Sequence, residues 1–91
     1  MKDFERVVNA VAEVMDLTPA SIRSKRRFPE VVDARWVTVY LLRQMGLYPH
    51  RIAECMEMTA RNVNMIVSAM NSGERKDLSR KAEEARKRMN E

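Results

Sequence analysis

The chain has 91 residues, 45% of them hydrophobic and 33% charged, enough for one domain with a buried core and too apolar for a disordered segment. Its net charge of +4 and pI near 9.6 favour polyanionic partners. One cysteine, Cys55, and one histidine, His50, exclude an internal disulfide and a Cys/His zinc site, and the lack of a leader or a long apolar run predicts a cytoplasmic protein with no membrane partner.

Residues 3–15 place Phe4, Val7, Val8, Val11, Ala12 and Met15 on one stripe, the spacing of an amphipathic scaffold helix. Asp16 and Leu17 end it. Thr18 and Pro19 then supply a capping hydroxyl and a first-position proline for a short helix, with Leu17 and Ile22 packing inward. Next comes Arg-Ser-Lys-Arg-Arg at residues 23–27, four positive charges in five residues. One reading is a solvated, self-repelling loop. The other is a cluster held between helices by Phe28 and Pro29 and aimed at phosphates or a minor groove, through Lys25, Arg26 and Arg27.

Residues 30–45 are too apolar for a surface helix and carry no turn signal until Gly46, which predicts a central helix in spite of the β-branched valines. Trp36 and Tyr40 fit its core or core edge. Arg35 can reach a phosphate or pair with Asp33 or Glu30. Pro49 opens another helix with His50 as a surface residue, and neither His50 nor Cys55 has the third group that would orient a nucleophile and base, so no enzyme is predicted.

Residues 51–69 carry the strongest pattern. Ile52, Ala53, Met56, Met58, Val63, Ile66 and Val67 fit two short helices meeting at a turn near Glu57, with Ala53 and Val63 at the crossing and Thr59 as N-cap: a helix-turn-helix. The second helix then turns Ala60, Arg61, Asn64, Met65 and Ser68 outward, with Asn62 at the edge, a set able to read base edges. The plainer reading is an ordinary packed helix pair. Glu57 stands where such turns often need glycine for a positive φ, which implies either a strained variant of the turn or a second helix that starts one residue away.

Asn71, Ser72 and Gly73 break the chain, and residues 74–91 form a charged helix with a thin Leu78, Ala82, Ala85, Met89 seam that can dock, pair with a second copy or fray. The expected organisation is a helix-turn-helix domain over residues 1–73, with its basic loop at 23–28, followed by that helix. Residues 1–22 carry two bases and four acids, residues 23–71 eight and four, so the positive excess gathers around the helix-turn-helix.

Over residues 11–70 the sequence resembles the carboxy-terminal DNA-binding domain of the bacterial replication initiator DnaA, which has a Trp-repressor-like fold. Val-Ala-Glu-Val-Met-Asp-Leu-Thr-Pro-Ala-Ser-Ile-Arg-Ser-Lys-Arg-Arg is similar to that family's opening helices and basic loop, and Ala-Arg-Trp-Val-Thr-Val-Tyr-Leu-Leu-Arg-Gln-Met to its long helix. The resemblance implies an all-α bundle of about five to six helices. It implies that Lys25, Arg26 and Arg27 enter a minor groove while the helix-turn-helix reads the major groove, and that Arg35 is a DNA contact. The reading helix departs: where the family has Gly-Arg-Asp-His-Thr-Thr-Val, this chain has Glu-Met-Thr-Ala-Arg-Asn-Val, so Thr59, Ala60, Arg61 and Asn62 stand on the family's base-reading positions and only Val63 is retained. A different target sequence follows.

With two glycines, no phosphate-binding Gly-x-x-x-x-Gly-Lys-Ser/Thr loop can be built, which predicts a stand-alone module without ATPase, cofactor, metal or small-molecule substrate. The expected function is sequence-specific binding of double-stranded DNA on the bacterial nucleoid, in replication or transcription regulation. Arg61, Asn62, Asn64, Met65 and Ser68 face bases, and Lys25, Arg26, Arg27 and Arg35 face the backbone and minor groove. The alternative is a protein-interaction module on the same scaffold, suggested by Glu57, Ala60 and Met65, or a homodimer through the last helix.

Overall fold

Proline opens three helices and a residue at positive φ follows four, and this punctuation sets the path of the chain. The computed structural model describes residues 2–90. They form six helices, α1 (Lys2–Val14), α2 (Pro19–Arg23), α3 (Pro29–Gln44), α4 (Pro49–Met56), α5 (Ala60–Asn71) and α6 (Lys76–Met89), and no strand. Pro19, Pro29 and Pro49 fix φ where a missing N–H leaves no helical bond unmade. Asp16, Gly46, Glu57 and Gly73 take φ of 56°, 97°, 53° and 81°. After α1, α3 and α4 the chain closes back on the helix with a bond to the carbonyl five residues earlier: Leu17 N to Ala12 O at 2.8 Å, Leu47 N to Leu42 O at 3.2 Å, and Met58 N to Ala53 O at 3.0 Å.

The central helix is α3, which packs against all five others. Ala34, Val37, Val39, Leu41 and Leu42 are buried along it, and the one buried polar side chain among the described residues, Thr38, donates its hydroxyl to Ala34 O at 2.8 Å. Its β-branched residues are helical because burial on several sides outweighs their few tenths of a kcal/mol of unfavourable propensity, by about 1.5–3 kcal/mol for each fully buried side chain. Val7, Val8, Ala10, Val11 and Ala12 of α1 cover one side of α3.

Of the three fates open to the last helix, docking is the one found. Leu78, Ala82 and Ala85 are buried in the common core, with α6 lying on α1 and α3. Arg75 pins its start: the guanidinium meets Asp33 of α3 at 3.2 Å and forks onto Asp77 at 3.0 and 3.2 Å, which raises its pKa further, first through the Asp77 hydrogen bond, and lowers that of Asp77. At the other end Arg6 donates to Met89 O at 3.3 Å and Arg88 pairs with Glu13. The apolar seam therefore lies inside the molecule, and the outward side of α6 is charged. No described helix is long and apolar enough to cross a membrane.

Candidate nucleic-acid interface

The helix-turn-helix is α4 and α5. The pairing of Ala53 with Val63 matches their burial, 8% and 0% exposed, where the small alanine allows α4 and α5 to approach. Thr59 has extended backbone, and its hydroxyl accepts from Asn62 N at 3.0 Å, so α5 starts in the expected register. Glu57 does take the left-handed conformation, at φ 53° and ψ 52°, as the strained variant of the turn.

The exposed face of α5 carries Arg61, Asn62, Asn64, Met65 and Ser68. Ala60 differs from expectation: it is half-buried and packs on the core, because the first turn of α5 lies close to the body. The side chains of Arg61, Asn64 and Ser68 make no hydrogen bond or ion pair among the described residues, and that of Asn62 makes only a 4.0 Å contact with the Met58 sulfur. These donors are free to meet a ligand.

The basic loop lies beside the turn of the helix-turn-helix. Lys25 Nζ is 3.8 Å from Glu57 Oε1, and a groove of about 270 Å³ between them is lined by Lys25, Arg26, Arg27, Arg35, Glu57 and Asn62 over a floor that includes Trp36 and Ile66. Two segments far apart in sequence thus share one face. Arg26 and Arg27 are exposed and their side chains have no partner among the described residues.

Two residues hold this arrangement differently from the reading of the sequence. Phe28 does not clamp the cluster, since the residue is 55% exposed. The clamp is Arg35. Its guanidinium donates to Ile22 O at 2.6 Å and Ser24 O at 3.0 Å, and to Met56 O at the end of α4, tying the basic loop to the helix-turn-helix through backbone carbonyls. It pairs with neither Asp33 nor Glu30; Asp33 is occupied by Arg75. Burial lowers the Arg35 pKa from its ordinary value, and the nearby Glu57 carboxylate opposes that shift. Ser24 adds a local anchor by donating its hydroxyl to Ser21 O at 2.6 Å.

Glu57 has two opposed effects here, which a pair of substitutions separates. Glu57→Gly is expected to stabilise the fold by about 1 kcal/mol through relief of the left-handed strain, whereas Glu57→Gln removes only charge and leaves the melting temperature nearly unchanged, the exposed Lys25 pair being weak. Both should tighten binding to any duplex by freeing Lys25 and removing a repulsion from phosphate. Melting curves and salt titrations read the two effects independently; weaker binding by both variants would assign Glu57 an attractive contact.

Val32 and Met58 line the groove although the spacing of the sequence did not single them out as contacts, and Phe28, outside that lining, is exposed beside the cationic run. The signal for Phe28 was available in its neighbours: an aromatic between a cationic run and a proline, with no partner at helical spacing before it.

The comparisons agree with this geometry. The family model for the bacterial DnaA protein helix-turn-helix matches residues 4–61, from α1 to the second residue of α5, and leaves most of the reading helix outside the match. No curated protein matches the chain. The matched family is a DNA-binding domain and not a catalytic one. The chain belongs to the helix-turn-helix family of the bacterial DnaA protein.

Proposed function

We propose that the domain binds double-stranded DNA sequence-specifically, on the nucleoid, in replication or transcription regulation. The observation that carries the proposal is the groove in which Asn62 of α5 meets Lys25, Arg26 and Arg27 of the basic loop, beside the exposed and unpartnered side chains of Arg61 and Asn64 on the same helix. With α5 in a major groove, Arg61 can fork onto a guanine, Asn64 or Asn62 onto an adenine, and Met65 can rest on a thymine methyl. Ser68 sits one turn further along the same stripe, and Thr59 sets the helix start. Ala60 adds contact surface only where it remains uncovered. Lys25, Arg26 and Arg27 follow the backbone beside that groove, and Arg35 acts through the loop that it holds.

Selection of bound duplexes from a random pool tests binding and specificity together: a shared motif is expected, and no retained duplex at low salt overturns the reading. Arg27→Ala should weaken all duplexes alike and reduce the slope of log affinity against log salt by about one, because one phosphate fewer is neutralised.

A second reading draws on Met65, 48% exposed beside Trp36 and Ser68 in a shallow depression of α5 and α3. There the same face receives a regulatory protein. Binding of a purified partner that survives nuclease treatment, with no duplex shift, would favour it.

A further inference from the structure

Phe28 is an aromatic ring held in solvent by a rigid backbone. It is 55% exposed, at φ −64° and ψ 136°, followed by Pro29, and its carbonyl accepts from both Val31 N and Val32 N at 2.9 Å. The first turn of α3 therefore fixes where the ring starts, while the core makes no use of it. Val32, one turn on and 36% exposed, continues the apolar stripe toward the groove that Lys25, Arg26 and Arg27 line. Glu30, two residues from Phe28, falls on a different side of the helix. The ring, next to three cations and without a partner in the core, has the shape and polarity for the interior of a base stack approached from the phosphate backbone that those cations would follow.

We propose that Phe28 is a wedge: as the basic loop settles on the backbone, the ring enters between adjacent base pairs, unstacks them and bends the duplex. The inference rests on the DNA-binding reading and adds to it a source of sequence preference without hydrogen bonds. Pyrimidine–purine steps such as TA and CA unstack most easily, so sites that place one under the loop are favoured.

The test uses the full chain at low salt and a short duplex of repeated TA steps in which 2-aminopurine, fluorescent when unstacked, replaces one adenine, with end-labelled copies of the duplex for bending. The wild-type chain is expected to raise the fluorescence and shorten the end-to-end distance. Phe28→Ala should bind with an unchanged salt slope and lose both signals, and Phe28→Leu, which keeps an apolar wedge, should retain part of them. Melting curves confirm that the variants fold, the ring being outside the core. Binding by the wild type without any rise in fluorescence, or an equal rise with Phe28→Ala, overturns the wedge while leaving DNA binding intact. Absence of binding to every duplex overturns both.

Discussion

Arg35→Ala is expected to lower the melting temperature by roughly 10–20 °C and to weaken binding to every duplex, although the hydrogen bonds of its guanidinium all go to backbone carbonyls. The guanidinium satisfies carbonyls at the end of α2, in the basic loop and at the end of α4. Hydrogen bonds from a charged donor contribute about 1.5–3 kcal/mol each when buried; here the side chain is half-buried, so the sum is nearer to about 3 kcal/mol in all. Truncation leaves those carbonyls facing a gap and releases residues 24–28 from the helix-turn-helix. Displacement of the loop then separates the cations from α5, which is why affinity falls without regard to sequence. Arg35→Lys should lie between, because one ammonium cannot span carbonyls on separate elements as a planar fork does. Thermal unfolding beside a duplex titration decides the matter. A variant that melts like the wild type yet binds weakly would make Arg35 a phosphate contact instead of a clamp.

The contrast between Arg35 and Thr59 shows what the residues alone could reveal. Thr59 acts on the backbone three residues ahead of it, so the start of α5 follows from local chemistry and was legible. The left-handed turn at Glu57 was one of two readings open to the sequence, the other being a second helix that starts one residue away, and the Thr59 cap shows which one holds. Arg35 has partners that are carbonyls brought together by three elements, and a carbonyl has no side-chain identity to recognise in a sequence. Its position on the long helix suggested a phosphate or a neighbouring carboxylate; of the carboxylates, Asp33 is taken by Arg75 and Glu30 is left to the solvent.

The last helix was ambiguous for a different reason. A Leu-Ala-Ala-Met seam is the same whether its complement belongs to the same chain or to another. The choice was made by the sides of α1 and α3 on which α6 packs, with Leu78, Ala82 and Ala85 buried. Phe28 failed the usual expectation that an aromatic packs inward, because Pro29 restricts the residue before it to extended backbone and so carries the ring away from the helix it precedes.

Arg61→Ala and Asn64→Ala are expected to give the largest loss of specificity, about 1–3 kcal/mol of preference for the selected sequence over its single-base variants, at no loss of stability. The two residues are one turn apart on the exposed stripe that continues through Met65 and Ser68, so they address neighbouring base pairs. Neither side chain has an intramolecular partner among the described residues, and exposed substitutions of this kind shift stability by no more than about 0.5 kcal/mol. Asn64→Ala should even raise the melting temperature slightly, since alanine is the better helix former. The measurement is a set of affinities for the selected duplex and for each single-base change, at two salt concentrations. Loss of discrimination should be confined to one or two base positions and should differ between the two variants, while the salt slope stays at the wild-type value. That pattern is the inverse of the one expected for Arg27→Ala, which keeps discrimination and changes the slope. Equal weakening of every duplex by Arg61→Ala would place Arg61 on the phosphate backbone, and the base-reading role would then fall to Asn64, Met65 and Ser68 further along α5.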